Sequence, residues 1–132
     1  MRRRVVSAVL AIVAVISLAL AAASDAQRGH RPPPWGQPHV VPPELIRVHD
    51  GDTFWAGWVR VRLHGIDTPE IGEPRAAAAT RRLDELLRRG PVTIVPRAED
   101  VDGRLVADVY VGGKNVADVL RREGFDKPRP TP

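Results

Sequence analysis

The chain has 132 residues, with 20 basic and 16 acidic side chains, a formal net charge of +4 and no cysteine. The length suits one small domain, and the missing cysteines exclude a disulfide framework, a thiolate nucleophile and a cysteine-ligated zinc site. The modest net charge means that attraction to polyanions has to come from local clusters of arginine.

In chain order, residues 1–26 read as a secretory signal peptide. MRRR is a basic leader, VVSAVLAIVAVISLALAAA is an apolar run, and small residues gather before cleavage points after Ala23 or Ala26. The predicted destination is secreted or periplasmic. The alternative is a membrane-anchored chain, because an apolar run of about 20 residues also spans a bilayer. Removing Arg2, Arg3, Arg4 and Asp25 with the signal leaves 17 basic against 15 acidic residues. Residues 27–43, QRGHRPPPWGQPHVVPP, are Pro-rich and aperiodic, and predict an extended linker.

From Glu44 the pattern turns regular. ELIRV is a strand candidate, HDGD a turn, and TFWAG a second strand. WVRVRLH is a third strand, with Val59, Val61 and Leu63 on one face and Arg60, Arg62 and His64 on the other. HGIDTPE then leaves that strand. Pro69 fixes its own φ and keeps Thr68 out of helix, so Asp67 and Glu70 sit on a stiff corner. PRAAAATRRLDELLRRG predicts a helix with Pro74 in its first turn, Leu83, Leu86 and Leu87 as its apolar stripe, and Gly90 as its C-terminal cap. PVTIVPR is a fourth strand, EDVDG a turn, and RLVADVYV a fifth strand. NVADVLRREG is a second helix, with Val116, Val119 and Leu120 inward and Gly124 as its stop, and the tail FDKPRPTP reads as loose. The order β-β-β-α-β-β-α predicts a mainly β, α+β domain: a five-stranded barrel of the OB type with two helices, the alternative being a flat α+β sandwich.

The ionisable residues collect at strand ends. Asp52 and Asp67, with the carbonyls around them, are hard oxygen donors that suit Ca²⁺ or Mg²⁺ in an open site. Glu70 is a spare carboxylate able to take a proton from water. Arg62 and Arg104 carry planar forks that match phosphate oxygens. Together they describe metal-assisted phosphodiester hydrolysis. His49 and His64 are read as polar strand residues rather than zinc ligands.

HDGDT, RLHGIDTPE, DVDGR and GKNVADVLRREG resemble the staphylococcal nuclease (thermonuclease-like) family, across roughly residues 44–127, with residues 128–132 left as tail. The resemblance implies an OB-type barrel that cleaves DNA and RNA with Ca²⁺. It implies Asp52, Asp67 and the Thr68 carbonyl as metal ligands, Glu70 as general base, Arg62 and Arg104 as the phosphate-binding pair, and Asp50 in the outer shell. It implies no stable protein partner and a monomer. The sequence departs from the family at Asp102, where an aromatic is usual, and offers only Phe125 as an aromatic past the second helix. The rival reading is therefore a catalytically weak or inactive nucleic-acid- or protein-binding module on the same fold.

Overall fold

The computed structural model describes residues 37–129. The predicted signal peptide, its anchor alternative and most of the linker lie outside these residues. Seven strands form one sheet: β1 (His39–Val41), β2 (Ile46–Val48), β3 (Thr53–Ala56), β4 (Val59–Leu63), β5 (Val92–Glu99), β6 (Leu105–Val111) and β7 (Lys114–Asn115). Helix α1 (Ala76–Leu87) follows β4, and α2 (Val116–Arg122) follows β7. The order across the sheet is β1-β5-β6-β4-β3-β2, with β7 paired to β6. All pairs are antiparallel except β4 with β6, and α1 and β5 lie between those two in the chain. The outermost strands, β1 and β2, are separated in the chain only by Pro42–Leu45, a reach of roughly 14 Å at full extension. The two edges of the sheet must therefore approach each other, and the sheet curls around its core as the barrel reading expects.

Alternation sets the two faces. Phe54, Val61, Leu63, Val92, Ile94, Ala107 and Val109 point inward and are buried. The predicted α1 stripe of Leu83, Leu86 and Leu87 closes one side of the core, and Val116 and Leu120 of α2 close another. The polar face of β4 turns outward, which is where the arginines stand.

The structure corrects several element boundaries, and β1 and β7 bring the five expected strands to seven among the described residues. The sheet begins earlier than Glu44, because His39–Val41, read as linker, pairs antiparallel with Val92–Ile94. Glu44 and Leu45 lie in a 3-10 turn rather than a strand. Pro74 precedes α1: Arg75 is the N-cap, in a left-handed conformation with φ 68°, and Gly90 does not take the left-handed cap position. The tail is not loose at its start. Gly124 (φ 78°) ends α2 as predicted. The Phe125 N–H then bonds the Leu120 carbonyl (3.0 Å) and the Gly124 N–H the Arg121 carbonyl (3.0 Å). That is a Schellman motif, completed by burial of Phe125 with Leu120. Arg75 explains its own strain, since Nη1 donates to the Gly124 carbonyl at 2.7 Å and the guanidinium lies 4.6 Å over the Phe125 ring.

Candidate functional site

Antiparallel register places Thr53 opposite Arg62, so Asp52, just ahead of β3, stands beside the Arg62 side chain. Arg62 Nη1 lies 2.8 Å from Asp52 Oδ1, and Nη2 lies 3.3 Å from Asp67 Oδ1. Nη2 also donates to the Ile66 carbonyl at 3.4 Å. One guanidinium thus bridges two carboxylates that the fold, not local sequence, brings together. Asp52 is only 5% exposed, and both its oxygens have partners: Oδ1 also accepts from Thr53 Oγ1 (3.0 Å), and Oδ2 from the Thr68 N–H (3.0 Å). Burial alone pushes the Asp52 carboxyl up. The Arg62 guanidinium and the Thr68 amide outweigh it and hold the group below the usual carboxylate range. Asp50 goes the other way, raised by burial and by the neighbouring Asp52 charge, while its Oδ1 accepts the Asp52 N–H at 3.1 Å.

Gly51 sets the depth of this turn. A Cβ there would lie 2.6 Å from Thr68 Oγ1 and 2.7 Å from the Ala79 Cβ. The glycine of the DGD turn is therefore required by close approach to the corner and to α1, not by a left-handed φ.

The remaining expected residues are placed less tightly. Glu70 lies past Pro69 with an exposed side chain, 3.7 Å from Lys127 Nζ. Arg104 precedes β6 and shares the outward face with Arg62, because Val106, two residues on, pairs with Arg62. A strand rise of about 3.3 Å and a strand spacing of about 4.8 Å put the two Cα atoms roughly 8 Å apart. Its fork is taken up within its own turn, by Asp100 Oδ2 at 2.7 Å and Asp102 Oδ2 at 3.1 Å.

Several contributors escaped sequence reading. Asp126 Oδ1 accepts the Asp67 N–H (3.1 Å), and the Lys127 N–H donates to the Asp67 carbonyl (2.7 Å). Arg121 braces this clamp through Asp126 Oδ2 (3.5 Å) and the Gly65 carbonyl. A cavity of about 360 Å³ lies here, lined by Arg62, Asp67, Val106, Asp126, Lys127 and Arg129 among others. The only available signal was the Gly124-Phe125 stop, which turns the chain back toward the corner. His64 is likewise more than a polar strand residue: Nδ1 lies 3.0 Å from Asp108 Oδ1, whose other oxygen takes the Arg97 guanidinium. Arg97 sits at the bulge between Pro96 and Ala98 in β5.

Asp52 and Asp67 already share the position of one cation, the guanidinium, so their hard oxygens fit a divalent ion of the Ca²⁺ or Mg²⁺ class. Among the described residues no group of three or more His, Cys, Asp or Glu is poised as a metal cage. Donors beyond the two carboxylates would have to be carbonyl or water oxygens.

Comparison with known proteins identifies the family. A family model described as "Staphylococcal nuclease homologue" matches residues 60–127, which is half of the chain. The chain is 33% identical over 95 residues to a micrococcal nuclease of Shigella flexneri, covering 62% of this chain and 55% of that protein. It is 32% identical over 112 residues to the endonuclease YncB of Bacillus subtilis, covering 75% of this chain and 53% of that protein. It is 35% identical over 66 residues to a staphylococcal-like nuclease of Arabidopsis thaliana, covering 50% of this chain and 20% of that protein. The chain thus spans about half the length, or less, of the relatives it matches.

Proposed function

The chain belongs to the staphylococcal nuclease family, and on that premise we propose that it is an exported, Ca²⁺-dependent nuclease that hydrolyses phosphodiester bonds of DNA or RNA. The observation that carries the reading is the Arg62 guanidinium set between Asp52 and Asp67, on the same sheet face as Arg104. Asp52, Asp67 and the Thr68 carbonyl would hold the cation, which when bound polarises a phosphoryl oxygen. Asp50 keeps the Asp52 backbone in place from behind. Glu70 takes the proton of the attacking water as the water oxygen bonds to phosphorus. Arg62 and Arg104 donate to the non-bridging oxygens, where negative charge grows in the transition state. Cleavage of the bond to the 5′ oxygen leaves a 3′-phosphate and a 5′-hydroxyl. The exposure of Glu70 suits a base that has to meet solvent water, and the Asp126 and Lys127 contacts hold the corner that carries it.

The rival binding-module reading has its own observation. Asp100 and Asp102 close around Arg104, so in this state its fork faces its own turn rather than a substrate.

The test is to incubate the purified exported protein with single-stranded DNA, with Ca²⁺ or with chelator, beside Glu70→Gln. The expected result is cleavage that needs Ca²⁺ and falls by roughly 10²–10⁴-fold in the variant. Binding without cleavage would favour the module. Cleavage unchanged in Glu70→Gln would remove Glu70 from the mechanism. N-terminal sequencing of the same protein tests export, with a start after Ala23 or Ala26 as the expected result.

A further inference from the structure

The outward face of β2, β3 and β4 carries an aromatic residue that the hydrolytic site does not use. Arg47 pairs with Trp55, and Trp55 pairs with Arg60, so the three side chains stand in one row across the outer face. The Arg47 guanidinium lies 5.8 Å from the Trp55 ring centroid and that of Arg60 lies 6.0 Å from it. Both guanidinium carbons lie over the ring at the outer edge of cation–π range, about 6 Å, so a base that stacks there displaces one of them. Arg47 is exposed, and Trp55 and Arg60 are half-buried.

This row is continuous with the site. Arg60 and Arg62 are two apart on β4 and share a face, and Arg60 Nη2 donates to the Asp102 carbonyl (3.4 Å) in the turn that leads to Arg104. Trp55 and Arg62 are offset by one strand and two residues, roughly 8 Å between Cα atoms. An aromatic ring between arginines, one step from a pair of phosphate-binding forks, combines a surface for a base with cations for its backbone. Stacking on the ring requires a base already free of its own stack, which a duplex does not offer without unpairing.

We propose that Trp55, with Arg47 and Arg60, is a base-stacking subsite that extends the nuclease site along β4 and takes an unstacked base of a single-stranded nucleic acid. The proposal rests on the nuclease reading for the identity of the ligand. Arg60 and Arg47 take backbone phosphates, and Trp55 takes the base between them.

The experiment measures binding of a labelled oligothymidylate and of a duplex of equal length by fluorescence anisotropy, in chelator so that no cleavage occurs. Trp55→Ala is expected to weaken single-strand binding roughly tenfold, within the range typical of one stacked base, and to leave duplex binding nearly unchanged. Trp55→Phe is expected to keep most of the affinity, which separates stacking from a folding defect, and melting curves accompany each variant. Arg47→Ala and Arg60→Ala are expected to lower the dependence of log affinity on log salt by about one counterion's share each. Equal losses on both substrates in Trp55→Ala, or none on either, would overturn the subsite while leaving the nuclease reading intact. Failure of the wild-type protein to bind any oligonucleotide in chelator would overturn this subsite, whereas loss of cleavage with Ca²⁺ present is what would remove the nuclease reading.

Discussion

Two arginines on one sheet face are each held by two carboxylates, and the two arrangements are not equivalent. Arg62 is bridged by Asp52 and Asp67, which reach it from the turn before β3 and from the corner after β4. Arg104 is bridged by Asp100 and Asp102, both from its own turn, where Asp100 also accepts the Asp102 and Arg104 N–H groups. The first cluster is a product of strand pairing and contains a carboxylate that is 5% exposed. The second is a local device that would form in almost any fold supplying the same turn. A tertiary cluster couples chemistry to stability, whereas a local one can open without disturbing the core.

The sharpest way to break that comparison is to truncate each arginine. Arg62→Ala leaves Asp52 buried with no opposite charge and is expected to destabilise the domain by about 3 kcal/mol, the low end for breaking a buried pair. Arg104→Ala removes only partly exposed, local pairs, and is expected to change stability by less than about 1 kcal/mol. Both are expected to depress cleavage by on the order of a hundredfold or more, since each removes a donor to the growing phosphoryl charge. Urea melts set beside single-turnover cleavage read the two effects separately. Equal stability losses in the two variants would show that the clusters are energetically alike.

Acid titration sharpens the same contrast. The Asp52 carboxyl is held low in the folded protein, burial notwithstanding, by Arg62 and the Thr68 amide. A depressed folded value contributes stability that is present above the unfolded carboxylate value, about 3.9, and is lost as pH falls through the folded value. Without Arg62 the burial that raises Asp52 has less to oppose it, so proton uptake relieves the variant. The stability gap between wild type and Arg62→Ala is therefore expected to be widest near neutral pH and to narrow below about pH 4. Asp100 is also held low, but the amide N–H groups of Arg104 and Asp102 persist when the Arg104 side chain is gone. The wild-type and Arg104→Ala curves are expected to stay nearly parallel. Urea midpoints measured from pH 3 upward decide the matter, and parallel Arg62→Ala curves would deny Asp52 its dependence on Arg62.

The two clusters also show what a sequence can disclose. The inward periodicity of Val61 and Leu63, the leucine stripe of α1 and the Gly124 stop were legible because spacing along the chain is itself the cause of those features. Asp52, Arg62 and Asp67 were legible as candidates through motif resemblance, but their sharing of one guanidinium depends on β3–β4 register. His39–Val41 was missed because Pro-rich surroundings mask an edge strand whose partner lies far along the chain. The Asp126 and Lys127 clamp on Asp67 was missed for a similar reason: its contacts span the domain, and the Schellman turn that aims them looks in sequence like a helix ending in a tail. In sequence Gly51 is a turn former, while its requirement comes from Thr68 and Ala79 packed against it.

The smallest expected effect bears most directly on the difference between a site and a latch. Asp102 Oδ2 lies 3.1 Å from Arg104 Nη2 with more than half of the Asp102 side chain exposed, and Asp100 holds the same fork at 2.7 Å. An exposed ion pair is worth about 0.2–1 kcal/mol, so Asp102→Asn is expected to shift stability by no more than roughly 0.5 kcal/mol. The same change removes one competitor for the Arg104 fork and one negative charge beside a polyanion. Affinity for an oligonucleotide is therefore expected to rise about threefold at low salt, and the gain to shrink as salt screens the removed charge. The backbone bonds of the turn do not depend on the Asp102 carboxylate, since the Asp102 and Arg104 N–H groups both go to Asp100 Oδ1. Arg104 should stay positioned while its fork opens. If Asp102→Asn binds no better and Arg104→Ala still binds worse, Arg104 reaches phosphate with its turn closed, and the local cluster is part of the binding surface rather than a latch upon it.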